Sequence, residues 1–212
     1  MIPLANKIKK TSHREVARAQ DLIVEELYAV FNDAVLHGGT AIWRCYGANR
    51  FSEDIDVYLP RNIQKIEELF GNFVKKGFEI AKKKIGENSV YANMRFDRID
   101  VRFEVVFKKA VGSLKEYEKI DGNVMTVYTL TPEEFIQEKV AAYTKRRKIR
   151  DLYDIFFLVR YVSDKEKIKS ELKKLLARFE EPVDRDDLKI IILEGLIPTV
   201  EKMREYLMTM TR

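Results

Sequence analysis

The segment spanning residues 37–59, HGGTAIWRCYGANRFSEDIDVYL, constrains the fold of this chain more than any other. A Gly-Gly-Thr turn at Gly38, Gly39 and Thr40 is followed by an Asp-Ile-Asp pair inside a hydrophobic strand pattern, which Val57, Tyr58 and Leu59 continue and Pro60 ends. Residues two apart on a strand share a face, so a strand over 51–59 projects Asp54 and Asp56 together. Adjacent carboxylates repel one another and favour a neighbouring cation. A hard divalent ion such as Mg2+ takes oxygen ligands of this kind and keeps positions open for phosphate oxygens. The glycine turn offers backbone N–H groups that can approach a phosphate, and Thr40 adds a hydroxyl. Together these features predict a site for a metal-bound nucleoside triphosphate.

Around this segment the pattern is mixed. Apolar periodicity predicts a helix over 15–31, and a short helix over 41–46 would turn its N-terminus toward the phosphates. Residues 63–76 read as an amphipathic helix ended by Gly77, and 78–84 and 89–95 as strands joined at Gly86, Glu87 and Asn88. Over 99–107 apolar residues alternate with Asp100, Arg102 and Glu104, giving a core face and a charged face. A short strand follows at 124–128. Thr131 and Pro132 then fit the N-cap and first position of a helix. The remainder is helical, with 165–179 and 187–210 periodic and Pro182 and Pro198 as interruptions.

A second segment, residues 138–158 (EKVAAYTKRRKIRDLYDIFFL), carries cations at helical spacing. On one helix, at about 100° per residue, Lys139, Tyr143, Arg146 and Arg150 form a stripe opposite Ala141, Ile155 and Val159. Lys139 is then placed to hold a triphosphate, with Arg146 or Arg150 steadying phosphate or acceptor. Lys145, Arg147 and Lys148 read as a solvated face. Asp151 is either an N-cap after a break or a salt-bridge partner that orients Arg150. Asp154, three residues on, is near enough to position Lys139 or assist the acceptor.

The Gly-Gly-Thr turn followed by Asp-x-Asp resembles the first motif of the polymerase-beta-like nucleotidyltransferase superfamily. With Arg50, Phe51 and Ser52 leading into the acidic pair, it resembles the AbiEii/AbiGii toxin family of nucleotidyltransferases in particular. Lys139, Ala142, Arg146, Arg150, Asp151 and Asp154 resemble that family's Lys-x-x-Ala…Arg…Arg-Asp-x-x-Asp helical motif, and the likeness covers residues 36–161.

The resemblance implies an α+β fold, a polymerase-beta-like mixed sheet with flanking helices followed by a helical C-terminal region. Residues 1–130 would form the catalytic domain, and 131–212 would pack on it and complete the active site. It also implies a third carboxylate on a strand beside Asp-x-Asp. Glu104, enclosed by hydrophobic residues, is the first choice and Asp100 the alternative.

In the implied mechanism Asp54 and Asp56 hold Mg2+, Glu104 accepts a proton from the attacking hydroxyl or ligates a second metal beside it, Gly38, Gly39, Thr40 and Ser52 grip the phosphates, and Arg50 contributes to substrate binding. Lys139 and at least one of Asp151 and Asp154 are needed for activity. An acceptor hydroxyl attacks the α-phosphorus of an NTP and takes up the nucleoside monophosphate. Related toxins extend the 3′ end of tRNA and pair with an antitoxin. AMP or UMP transfer onto protein, a kinase-like phosphotransfer, and a non-catalytic nucleotide-binding partner are the alternatives.

Composition narrows the setting. No apolar run approaches the roughly 20 residues that span a bilayer, and the charged N-terminal stretch lacks a signal peptide's apolar centre, so a soluble cytoplasmic protein is expected. Cys45, the single cysteine, cannot form an intrachain disulfide and reads as a small buried apolar residue. The net charge of +5 and pI near 9.1 suit a polyanionic substrate, weakly favouring RNA. Abundant Lys and Glu equally fit the surface ion pairs of a heat-adapted protein. His13 and His37 are poor catalytic candidates. Trp43, Tyr46 and Phe51 read as core or cleft walls, and Tyr91 and Tyr128 as ordinary strand aromatics.

Overall fold

The computed structural model describes residues 3–211; residues 1, 2 and 212, the outer ends of the two regions expected above, lie outside it. The chain divides into two compact units. One holds the chain up to Gly47 together with Phe51–Thr129, and the other holds Ala48–Arg50 together with the chain from Leu130 onward.

The first unit opens with α1 (Leu4–Lys7) and α2 (Thr11–Val30), then β1 (Val35–His37), α3 (Gly38–Tyr46), β2 (Ile55–Leu59) and α4 (Ile63–Lys75). Strands β3 (Phe78–Ile85), β4 (Ser89–Phe96), β5 (Ile99–Phe107), β6 (Ser113–Glu118) and β7 (Val124–Thr129) complete it. Among the described residues these form one seven-stranded sheet in the order β3-β4-β5-β2-β1-β7-β6. Its pairings are mixed: β2 runs parallel to β5 and β1 parallel to β7, while the other neighbours are antiparallel. The α+β mixed sheet expected from the sequence is therefore present.

Alternation in β5 decides which face is core. Val101, Phe103 and Val105 are buried, and the Phe103 ring meets Phe70 and Phe73 of α4 edge-on, with centroids 6.2 and 5.5 Å apart. Such aromatic pairs contribute about 0.5–1.5 kcal/mol beyond their buried area. Asp100, Arg102 and Glu104 consequently point to the opposite face of the sheet. On the other side of the unit, Arg44 of α3 is buried between the rings of Trp43 and Tyr117, 4.8 and 4.7 Å from their centroids. It pairs there with Asp21 of α2, which also accepts from the Ile120 N–H. That pair ties α3 to α2. Cys45, half-buried in α3, has its thiol pushed up to about 12 by burial and is not a thiolate at neutral pH.

Two boundaries and two strands stand out against the sequence reading. Residues 51–54 are not strand: β2 begins at Ile55, so Asp54 sits in the loop before it. The short helix begins at Gly38 rather than at residue 41. Strand β1, three residues long, and the edge strand β6 were not expected. A three-residue strand shows no period, and β6 buries only Tyr117 fully.

The second unit contains α5 (Pro132–Arg146), α6 (Ile149–Leu158), α7 (Glu166–Ala177), α8 (Leu188–Ile191) and α9 (Val200–Thr209). Thr131 caps α5 as expected. Its hydroxyl accepts from the Glu134 N–H, and the Glu134 carboxylate accepts from the Thr131 N–H, a closed capping box. Replacing Thr131 with Ala should cost about 1 kcal/mol, read as a lower denaturation midpoint with an unchanged denaturant slope.

Of the two readings of residues 138–158, one continuous stripe or a break before Asp151, the structure has the break: α5 and α6 are separate helices. Arg147 takes a left-handed conformation at φ 49°, and its N–H still donates to the Tyr143 carbonyl. The backbone groups freed by the break are met from residues 183 and 184: Val183 N–H donates to the Arg147 carbonyl, and Ile149 N–H to the Asp184 carboxylate. The periodic stretch 187–210 is likewise broken between α8 and α9, where Gly195 adopts φ 86° and Pro198 precedes the Thr199 cap. Ile192 there bridges Arg50, and Leu193 N–H donates to the Asn49 carbonyl, which straps residues 48–50 into this unit.

Candidate active site

Strand register assembles an acidic row on the exposed sheet face. Asp56 of β2 has His37 of β1 as its partner on one side and Glu104 of β5 on the other. Neighbouring strands lie about 4.8 Å apart, so the Asp56 and Glu104 side chains emerge next to one another. Burial raises the Glu104 carboxyl above its usual range, and the carboxylates of Asp56 and Asp54 raise it further, partly offset by Arg102 and His37. Asp100 lies four residues back on β5, where its half-exposed carboxylate pairs with Arg95 at 3.2 Å. Of the two candidates for a third carboxylate, the register puts Glu104 beside Asp56.

The loop before β2 is latched from two helices. Gln20 of α2 donates to the carbonyls of Ser52 and Glu53 at 2.9 and 3.0 Å, and the Thr40 hydroxyl donates to the Asp54 carbonyl at 2.5 Å. Thr40 is buried, so its hydroxyl serves the loop instead of facing a phosphate as the sequence suggested. Gln20 was missed, although a fully buried amide among the apolar positions Ala19, Ile23 and Val24 of α2 is a legible irregularity.

The Asp54 carboxylate lies outside the strand and accepts from both Nε and Nη2 of Arg102, each at 2.7 Å. Arg102 was also missed, yet it shares the charged face of its strand with Glu104. Ser52 is half-buried in the latched loop, two residues before Asp54.

Gly38 makes the approach between α3 and β2 possible. Its φ of 71° favours glycine, and a Cβ there would fall 2.0 Å from Asp56 Oδ2 and 2.7 Å from its Cγ. Gly38 therefore cradles the Asp56 carboxylate. Gly39, buried in the first turn of α3, is among the residues whose N–H groups lack a helical acceptor. Gly38→Ala should displace the Asp56 carboxylate while leaving the sheet folded. A misplacement of about 1 Å can cost on the order of a hundredfold in rate, to be read against an unchanged circular dichroism spectrum.

The second set of sequence-selected residues forms a separate cluster in the helical unit. Arg50 is buried and donates through Nε and Nη2 to the two oxygens of Asp154 at 2.5 and 2.6 Å. Lys139, 7% exposed, lies 2.8 Å from Asp154 and 3.5 Å from Asp151. Arg146 binds both Asp151 oxygens at 2.7 and 2.8 Å. Burial alone would raise the Asp154 carboxyl, but Arg50 and Lys139 outweigh it and hold Asp154 below the usual range. The same pairing raises Arg50, against a burial effect of the opposite sign.

Three expectations change here. Arg50 is an internal ion-pair residue of this unit, not an exposed substrate contact. Asp151 lies in the first turn of α6, whose N-cap is Lys148, and binds Arg146, not Arg150. Arg150 does not join the stripe of Lys139, Tyr143 and Arg146, because the break at Arg147 rotates α6 away from the phase of α5.

For a divalent cation, the chemistry of the residues fits: hard oxygen donors crowd together and raise Glu104. Among the described residues no three His, Cys, Asp or Glu side chains are gathered closely enough to hold a metal as they stand, and both Asp54 oxygens are taken by Arg102. Asp56 and Glu104 are the adjacent carboxylates that could hold an ion.

A mixed sheet with paired carboxylates beside a Gly-Gly-Thr helix start is the arrangement that the resemblance to nucleotidyltransferases implies. The structure is similar to that of JHP933 from Helicobacter pylori, with a TM-score of 0.66 and 22% identity over 95% of this chain and 91% of that one. A second H. pylori structure, described as a candidate nucleotidyltransferase, gives a TM-score of 0.65 and 22% identity over 95% and 94%. The family model described as "Nucleotidyl transferase AbiEii toxin, Type IV TA system" matches residues 22–208, and the chain belongs to this family of nucleotidyltransferases. No curated protein sequence matches it significantly. Among the described residues no helix is long and apolar enough to cross a membrane.

Proposed function

We propose that the chain transfers a nucleoside monophosphate from an NTP to an acceptor hydroxyl on RNA, as the toxin of a toxin–antitoxin pair. The observation that carries this reading is the register of β2 and β5, which sets Glu104 beside Asp56 while Gly38 packs against the Asp56 carboxylate. In this reading Asp56, Glu104 and Asp54 would hold Mg2+. When bound, the ion supplies a Lewis acid that neutralises charge on the leaving pyrophosphate.

The remaining roles belong to the protein's own groups. Gly38 and Gly39 keep the start of α3 bare of side chains, so backbone N–H groups can meet phosphate oxygens. Gln20 and Thr40 fix the loop from Ser52 to Asp54 before any substrate arrives, so little ordering cost falls on the reaction. Glu104, beside Asp56, would receive the proton of the attacking hydroxyl or ligate a second ion next to it. Lys139 and Arg146, steadied by Asp151 and Asp154, supply positive charge for the triphosphate or the acceptor. In this reading residues 1–130 carry the catalytic carboxylates, and 131–212 form the helical region that carries Lys139 and Arg146. An antitoxin of the same system is the expected protein partner.

The test incubates the chain with each α-labelled NTP, Mg2+ and total tRNA, beside Asp56→Ala. Label on RNA that depends on Asp56 is the expected result. Label on polypeptide instead would replace the RNA acceptor with protein. Release of nucleoside diphosphate without retained α-label would replace nucleotidyl transfer with kinase chemistry.

A further inference from the structure

The acidic row continues across the sheet. Glu104 has Tyr91 of β4 as its register partner, and Tyr91 in turn has Lys84 of β3. One step along, Arg102 is followed by Asn93 and then Lys82. These side chains share the face that bears Asp56 and Glu104, opposite the α4 side.

The three consecutive lysines of β3 separate by face. Lys83 faces the helices: its register partner is Ala92, its ammonium lies 4.9 Å from the Phe70 ring centroid, and it pairs with Glu67 at 2.6 Å. Lys82 and Lys84 face the carboxylate side, are exposed, and make no ion pair among the described residues. The irregularity between Ile80 and Lys82 sets this phase by inserting one extra residue in β3. Half-buried Tyr91 stands between them and Glu104, with the Lys82 ammonium 5.6 Å from its ring centroid. Acidic residues of β3 and β5 enter this face at its far end, where Glu79 and Asp100 flank Arg95.

We propose that this outer face of β3, β4 and β5, carrying Lys82, Lys84, Tyr91 and Asn93 beside Glu104, is the path along which a single-stranded RNA acceptor lies. The assignment rests on the nucleotidyl-transfer reading above and adds to it where the acceptor binds. Lysines two apart on a strand are about 7 Å apart and present a line of charge to a phosphate backbone. An aromatic ring within such a line is what sequence-tolerant binding of single strands uses, because every base has a face to stack. A base stacking on Tyr91 displaces the Lys82 ammonium from the ring, and the neighbouring phosphate receives it. Protection of a sheet edge also favours lysines, but it does not account for a tyrosine and an asparagine on the second strand, in register with Glu104 and Arg102.

The test measures fluorescence anisotropy of a fluorescein-labelled single-stranded oligouridylate with the full chain across a range of salt. Each phosphate contact adds about 0.7 to the slope of log affinity against log salt for single strands, so Lys82→Gln/Lys84→Gln should lower that slope by about 1.4. Tyr91→Leu should weaken binding about tenfold with the slope unchanged. Lys167→Gln/Lys173→Gln, an equal charge change on α7, should alter neither. Equal slopes for the two lysine pairs would overturn the proposal, as would binding of polyglutamate in preference to the oligouridylate. Transfer of α-label is scored separately on the same proteins. Loss of the Lys82/Lys84 dependence in a chain that still transfers label overturns this surface alone. Binding that follows the pattern in a chain that transfers no label upholds the surface and overturns the transfer reading.

Discussion

Asp56→Asn should remove nucleotidyl transfer while leaving the fold as stable as before or slightly more so. Asp56 sits between His37 and Glu104 in the register, with its carboxylate against Gly38 at the start of α3. Neutralising it removes one of two adjacent donors for a divalent ion. If that ion contributes about 4 kcal/mol of charge stabilisation, the rate falls roughly a thousandfold. Stability moves the other way, because one of the carboxylates that repel Glu104 is gone. Thermal melting and single-turnover transfer on the same preparation check both halves. A large drop in melting temperature accompanying the loss of activity would mean that Asp56 is chiefly a packing residue.

Asp154→Ala should be among the most destabilising single changes in the helical unit. Asp154 is fully buried and holds Arg50 through two hydrogen bonds while also contacting Lys139. Removing it leaves the Arg50 guanidinium without this carboxylate, and Lys139 with Asp151 at 3.5 Å. Breaking a buried pair by deleting one partner costs about 3–5 kcal/mol. Arg147→Ala breaks a pair with Glu180 that is open to solvent on both sides, and should cost less than about 1 kcal/mol.

The pH dependence follows from the lowered carboxyl of Asp154. Its contribution is complete above the unfolded carboxyl value, near 3.9, and is lost as pH falls from there through the lower folded value. Chemical denaturation of wild type and Asp154→Ala should therefore differ by a constant amount near neutral pH and converge below about pH 4. A difference that persists undiminished in strong acid would show that lost packing, not charge, sets the cost.

The acidic strand, the glycine turn and the α5 cap were legible because each has a local chemical signature. Glu104 was favoured over Asp100 for its apolar neighbours, and the register places it beside Asp56. What escaped was decided by distant contacts. The helix break at Arg147 has no proline or glycine to fix its place; it is held by the Val183 N–H donating to the Arg147 carbonyl and the Asp184 carboxylate accepting from the Ile149 N–H. Arg50 stands in sequence beside the acidic pair, yet its partner Asp154 lies 104 residues away. The Thr40 hydroxyl reads as a phosphate ligand until the loop it latches is in place. Lys82 and Lys84 are indistinguishable from Lys83 in sequence, and a single irregularity in β3 determines which of the three face the carboxylates.

The most direct measurement of the central claim follows an NTP labelled at the α-phosphate in parallel with one labelled at the γ-phosphate, using wild type and Asp56→Asn. The account predicts that wild type retains α-label on a macromolecular acceptor and releases γ-label as pyrophosphate, and that Asp56→Asn does neither. Retention of γ-label on the acceptor, or equal α-transfer by Asp56→Asn, would contradict it.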